Sequence, residues 1–420
     1  MKVKAAVTLG YQQPFSIKDI QVSAPKKDEV MVKIVATGVC HTDAVIRDNA
    51  GILPMPAILG HEGAGIVVNV GDAVRGVEIG DHVVLSYAAC HHCENCLTNH
   101  PSACESFNDL NFGGRLDDGT TPYRLDDQEL SVFFGQSSFS QYVVTKATNA
   151  IVVDRDVELS LLGPLGCGIQ TGSGTVLNRL KPVAGESLVV FGCGAVGLSA
   201  IMAAKLTGCS QIIAVDIHAN RLELARELGA THVINGKQED SVAVIRQLTG
   251  KGAHYAIETT GVAAIVLQAI HAIKPLGTVA VVGFTGDITF NVQNDLMAEG
   301  KSLIGVIEGD AVPQLFIPQL VQFYKQGKFP IDKLIEFYPL EEINQAFADS
   351  ASGKVIKPVV LMKCGRLFAQ QRAANKDYFT LTSIPGKYFA ARRVIVPSAR
   401  TLSIAASSCF LVASSPLRKP

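Results

Sequence analysis

ESLVVFGCGAVGLSAIMAAKL, residues Glu186 to Leu206, decides the fold. An apolar run that reads as a buried strand ends in the glycine pattern G-x-G-x-x-G (Gly192, Gly194, Gly197), and an apolar helical run follows. In that context each glycine has a task. Gly192 permits a tight turn, Gly194 lets the backbone approach a pyrophosphate, and Gly197 lets helix and strand pack closely. The helix start then presents free amides and the positive end of its dipole to the phosphates. A second apolar run, QIIAVDI, ends at Asp216, 24 residues after Gly192. An acidic side chain at about that spacing binds the adenosine ribose hydroxyls and repels the extra phosphate of NADP. The stretch therefore predicts an NAD site. Arg221, five residues beyond Asp216, can approach the same ribose, although a solvated helix charge is the simpler reading.

Outward from this loop the alternation continues. ANRLELARELGA reads as a helix, and HYAIETTG and GTVAVVGF read as further strands. Strands that are apolar throughout, separated by helices, predict a doubly wound parallel sheet covered on both faces. The first 150 residues read differently, with strand-like segments VMVKIVATGV, AGIVVNVG and DHVVLSY separated by turn signals. A chain of 420 residues is too long for one ordinary core, so the expected architecture is α/β, a β-rich domain joined to the doubly wound one. With a net charge of −1, nothing overall points to nucleic acid or anionic membranes as partners. MKVKAAVTLGYQQPF lacks the apolar core of a secretory signal and no run is long enough to span a membrane, which predicts a cytoplasmic protein. Residues 366–420 break the pattern, with nine basic residues and one acidic residue (net +8) against net −9 for residues 1–365. They read as an atypical basic extension, dispensable for activity, rather than a third domain.

Four of the ten cysteines crowd into CHHCENCLTNHPSAC: Cys90, Cys93, Cys96 and Cys104, spaced C-x2-C-x2-C-x7-C. Four thiolates on short loops can converge tetrahedrally on one zinc ion and leave no place for substrate. The disulfide alternative needs an oxidising compartment that nothing else in the chain supports. With the shell complete, His91 and His92 read as solvent-facing loop residues. The lobe braces the fold but does no chemistry.

Other groups are scattered: Cys40 in GVCHTD, His61 with Glu62 in GHEGAG, and Cys167 in LGCGIQTG. Together with GDHVV, the four-cysteine lobe, GCGAVG and SGKVIKP, they make residues 1–364 resemble the zinc-containing medium-chain alcohol dehydrogenases, most closely the aryl-alcohol (benzyl alcohol) branch. The resemblance implies a GroES-like catalytic domain (1–168 with 306–364) containing the structural zinc lobe (90–104), and a Rossmann NAD-binding domain (169–305). It implies two zinc ions per chain. Cys40, His61 and Cys167 hold the catalytic one, with Asp43 fixing the tautomer of His61 and Glu62 adjacent. By the same resemblance Thr42 would accept the alcohol proton, Thr171 would pack against the nicotinamide, and His41 and Lys357 would meet the pyrophosphate.

The implied reaction is NAD-dependent oxidation of primary aromatic alcohols to aldehydes and its reverse, a hydride passing to the nicotinamide from an alcohol whose deprotonation zinc favours. A terpenoid or other allylic primary alcohol is the alternative substrate, and a non-catalytic NAD-binding relative is a second alternative. The family implies a homodimer or homotetramer. In many relatives a histidine five residues after the first zinc ligand relays the proton, and here that position is Val45. Val45 and Tyr87 suggest an apolar substrate pocket, with plain packing the alternative for either.

Overall fold

The computed structural model describes residues 1–362. The basic segment 366–420, and the expectation that it is dispensable, lie outside the described residues.

Three sheets organise the chain. The apolar run around the glycine loop forms the strand Ser187–Phe191, fully buried, at the centre of a six-stranded parallel sheet. Its order is His232–Asn235, Gln211–Asp216, Ser187–Phe191, Ala253–Glu258, Ile273–Val281, Ser302–Gly305. The chain thus works outward in one direction and then returns to build the other side, which leaves a crevice at the carboxyl end of Ser187–Phe191. The helix Ala195–Thr207 is apolar on almost every face and buried from Ala195 to Ala204 apart from Val196. A helix without a polar stripe needs cover on all sides. Here the parallel sheet covers one side, and the helix Gly168–Gly174 and the chain after it cover another.

The β-rich part holds the other two sheets. Glu29–Gly38 is the hub of the seven-stranded one, pairing antiparallel with Gly63–Val70, Tyr142–Lys146 and Lys357–Leu361. Lys357–Leu361 in turn pairs parallel with Ile335–Pro339, so residues beyond the parallel sheet return to complete this part of the protein. A five-stranded sheet built on Lys2–Thr8 and Ser16–Val22 completes it. One core, rich in phenylalanine, lies between these sheets, and a second runs from the β-rich part into the parallel sheet.

Close packing at one place positions the chemistry. The helix Gly168–Gly174 has the sequence GIQTGSG, and its small residues let its backbone approach the helix that follows the glycine loop. A Cβ at Gly172 would overlap the carbonyl of Val196. Because Cys167 caps this helix and Thr171 lies one turn in, both are brought beside the nucleotide loop.

Candidate active site and metal centres

Cys40 follows the hub strand and caps the helix His41–Asp48. The carboxylate of Asp43, three residues on, accepts from the Cys40 backbone amide (3.1 Å) through Oδ2. Its other oxygen accepts from the Gly60 amide (2.9 Å) and from His61 Nδ1 (3.0 Å). A fully buried carboxylate with three donors holds the turn, the neighbouring loop and the imidazole together. The His61 ring is clamped further by Phe134, stacked at 4.6 Å, and Phe133, edge-on at 5.2 Å. With Nδ1 committed to Asp43, His61 Nε2 is left buried with no hydrogen-bond partner. Such an orphan is costly unless a ligand completes it.

The Cys40 and Cys167 sulfurs, a His61 ring nitrogen and a Glu62 carboxylate oxygen lie within 4.8 Å of one another. The hydrogen bond from Cys167 and the nearby His61 pull the Cys40 thiol well below its ordinary value, whereas Cys40 and burial push Cys167 well above its own. Two thiolates so close are tolerable only beside a cation. Two sulfurs and an unpartnered imidazole nitrogen therefore fit a zinc ion that keeps an open position.

Glu62 is not free to fill that position. Lys357 Nζ donates to its two oxygens at 2.9 and 3.0 Å, the Gly168 amide donates at 3.2 Å, and both side chains of the ion pair are buried. Lys357 thus pairs with Glu62 at the site's edge. Its ammonium, 3% exposed, also donates to the Val39 carbonyl (3.2 Å). Removing either partner alone would strand a buried charge, at a cost of about 3–5 kcal/mol.

Thr42 Oγ1 lies 3.7 Å from Cys40 Sγ, within the first turn of the same helix, and His41 is exposed at its first position. Val45, in the next turn, is half-buried. The Tyr87 hydroxyl donates to the Ala311 carbonyl (2.6 Å) and its ring packs on Phe107.

One buried group escaped sequence reading. Glu308 reaches into the site, with Oε1 3.6 Å from Cys167 Sγ and Oε2 accepting from Gln170 Nε2 (3.0 Å) and Thr171 Oγ1 (3.4 Å). Burial pushes its carboxyl up to about 7. A lone glutamate in VIEGDAVP carries no motif, and only the fold brings it to Cys167.

At the glycine loop, Gly192 has φ +94°, which L side chains avoid, and a Cβ at Gly197 would overlap the Gly192 carbonyl. A Cβ at Gly194 would meet nothing within 4 Å, so its backbone faces open space of the kind a diphosphate needs. Asp216 is held by the amides of Cys193 (2.7 Å), Ile217 (2.7 Å) and His218 (2.9 Å), with Arg221 Nη1 4.0 Å away. Arg221 Nε is buried without a hydrogen bond, so this residue is not the solvated helix charge of the simpler reading.

The four lobe cysteines form a second cluster, with all sulfurs within 4.8 Å of one another and Cys90 and Cys96 3.9 Å apart. Sulfurs about 2.3 Å from a tetrahedral zinc ion stand about 3.8 Å from each other, so the spacing suits that ion. All four are free thiols. Backbone amides of Glu105 and Cys96 bring Cys93 down to about 6, while burial and Cys93 push Cys96 up to about 12. The first thiolate forms readily, and the later ones need a neutralising cation. His91 and His92 point outward as exposed residues.

Comparison with known proteins fits this architecture. Residues 26–155 match the alcohol dehydrogenase GroES-like domain, and residues 195–326 match the zinc-binding dehydrogenase domain. The chain is 43% identical over 366 residues to geraniol dehydrogenase of Castellaniella defragrans, covering 86% of this chain and 98% of that protein. Among solved structures, benzyl alcohol dehydrogenase of Acinetobacter calcoaceticus superposes with a TM-score of 0.83 at 46% identity, over 86% of this chain and all of that one. An alcohol dehydrogenase zinc-binding domain protein of Burkholderia ambifaria superposes with a TM-score of 0.84 at 50% identity, over 87% of this chain and all of that one. The chain belongs to the zinc-binding, GroES-like alcohol dehydrogenase family.

Proposed function

We propose that this protein is an NAD-dependent dehydrogenase that interconverts primary aromatic alcohols of the benzyl alcohol type with their aldehydes, using two zinc ions per chain. The observation that carries the reading is the convergence of Cys40 Sγ, His61 and Cys167 Sγ, with His61 Nε2 buried and unpartnered. These residues would hold the catalytic zinc, and Cys90, Cys93, Cys96 and Cys104 the structural one. Zinc supplies Lewis acidity that favours deprotonation of the alcohol, and NAD accepts the hydride.

The chain's own groups do the rest. Asp43 fixes the His61 tautomer so that Nε2 faces the cluster. Lys357 holds Glu62 away from the open position. Thr42 Oγ1, beside Cys40, takes the alcohol proton. Thr171, one turn beyond Cys167, packs against the nicotinamide, and His41 meets the pyrophosphate. Gly192, Gly194 and Gly197 shape the diphosphate seat, while Asp216 receives the ribose hydroxyls and Arg221 steadies its carboxylate. In this reading residues 1–168 and 306–364 form the catalytic domain and 169–305 the NAD domain.

The likeness to benzyl alcohol dehydrogenase supports an aromatic substrate. The similar likeness to geraniol dehydrogenase supports a second reading, an allylic terpenoid alcohol handled by the same chemistry. NADH formation across a panel of benzylic, terpenoid and short aliphatic alcohols separates them. Turnover confined to aliphatic alcohols would defeat both, and no turnover would favour a non-catalytic relative.

A homodimer or homotetramer is part of the proposal. Ser302–Gly305 is an unpaired sheet edge among the described residues, and Leu276, Val292 and Met297 are exposed. The location is proposed to be cytoplasmic, where thiols stay reduced. Among the described residues no helix is long and apolar enough to cross a membrane.

A further inference from the structure

The lobe and the active site share one turn. Glu308, Gly309 and Asp310 are consecutive and all left-handed, with φ of 50°, 68° and 48°. Two of the three are not glycine, so neighbouring structure must hold them there. On the inner side, a Cβ at Gly309 would overlap the Gln170 carbonyl, which shows how closely the turn presses on the helix Gly168–Gly174. Asn178 Nδ2 donates to the Gly309 carbonyl (3.1 Å). On the outer side, Asp310 Oδ1 accepts from His100 Nδ1 (2.8 Å), with Ser102 Oγ at 3.5 Å. Both donors lie between Cys96 and Cys104, so the lobe grips the turn directly. Tyr87, just before the lobe, anchors the next residue through the Ala311 carbonyl. The same three residues thus carry one carboxylate to the lobe and another to Cys167, Gln170 and Thr171.

We propose that His100 and Asp310 are positioning residues through which the four-cysteine lobe sets the place of Glu308, and with it the orientation of Cys167 and Thr171. The lobe then does more than brace the fold: it is one wall of the active site's support. This rests on the reading of Cys40, His61 and Cys167 as a metal centre.

The test uses protein loaded with 113Cd at both sites, whose four-thiolate and two-thiolate–imidazole centres resonate apart, the assignment being checked by the signal that Cys167→Ser removes. His100 is half-exposed, so His100→Ala is expected to fold. Asp310→Gly removes the carboxylate while easing the left-handed backbone, and Asp310→Asn keeps both an acceptor and tolerance of that backbone.

In His100→Ala and in Asp310→Gly the two-thiolate resonance is expected to shift in the same direction, and kcat/KM to fall about 3- to 10-fold. The double variant should show no further change, since both break one link. Asp310→Asn should restore both readouts. If only the four-thiolate resonance moves, with kcat/KM unchanged, the lobe's contact is local and the proposal is overturned. If unmutated protein yields a single, four-thiolate resonance, the metal-centre reading itself fails and this inference falls with it.

Discussion

The two cysteine clusters gather similar donors by opposite means. In the lobe every donor lies between Cys90 and Cys104, and three of the four side chains remain partly exposed. At the active site the donors come from residues 40, 61 and 167, on segments joined only by tertiary packing, and His61 and Cys167 are buried. A local chelate can complete its own shell, because short loops cost little entropy to close. A long-range one is defined by what surrounds it. Asp43 directs His61, Lys357 occupies Glu62, and the small-residue helix brings Cys167 to the nucleotide crevice. The difference teaches that the proposed open metal position would depend on the supporting groups, since Lys357 keeps the nearest spare oxygens, those of Glu62, engaged elsewhere.

Exchanging one thiol in each cluster tests this most severely. Cys167→Ser should abolish turnover while the protein remains folded and soluble, and Cys96→Ser should instead lower Tm and the soluble yield. Metal analysis should find two zinc ions per chain, and one zinc in fully active protein would break the two-site comparison.

Thr42→Val comes next, because it removes the hydroxyl beside Cys40 that is proposed to take the alcohol proton. General acid–base assistance is worth about 10²–10⁴-fold, and kcat for alcohol oxidation should fall within that range where hydride transfer limits the rate. Near-normal kcat would sink the assigned proton path while leaving the metal centre standing.

Asp43→Asn sharpens the contrast, since the lobe has no equivalent of this carboxylate. Loss of a hydrogen bond to a ligating histidine typically costs about 10–100-fold in metal affinity or activity. Competition with a chelator should show that loss at the catalytic site alone, with the four-thiolate site unchanged. Loss of zinc from both sites in parallel would refute the separation.

Asp216→Gly should relax or reverse the preference for NAD over NADP, read as the ratio of kcat/KM values. Equal values in the unmutated enzyme would remove the role given to Asp216. The smallest effect is expected from Val45→His. It adds a group that can pass protons in the first helix of the site and should reshape the pH profile of oxidation more than its maximal rate. A large change in kcat at every pH would show that the existing path was incomplete.

Much of the site was legible before folding because its signals are local. The apolar strand, glycine loop and helix around Gly192 occupy one continuous stretch, and the structure turns each into the element expected. The lobe's spacing alone identified a four-thiolate cluster, whose sulfurs do converge. Cys40, His61 and Cys167 drew attention through a family resemblance and not through spacing, since nothing local links them. The partner of Tyr87 was not legible, because a tyrosine before a turn says nothing about where its hydroxyl ends, and here it reaches Ala311. Lys357 was placed at the pyrophosphate by the family resemblance, which gave no sign of its pairing with Glu62. Pairing of Lys357–Leu361 with Glu29–Gly38 is what brings it to Glu62.

What the sequence determined by itself were features encoded within a few turns of chain: the strand periodicity, the glycine loop with its acidic partner Asp216, and the metal-binding spacing of the lobe. Tertiary structure alone decided that Glu62 is engaged by Lys357, that His61 keeps one nitrogen unpartnered, and that Glu308 stands against Cys167 in a turn held by the lobe. The reason is physical. Local geometry follows from backbone sterics and short loop closure, whereas a buried side chain's partner depends on which distant strands pair and how closely helices pack.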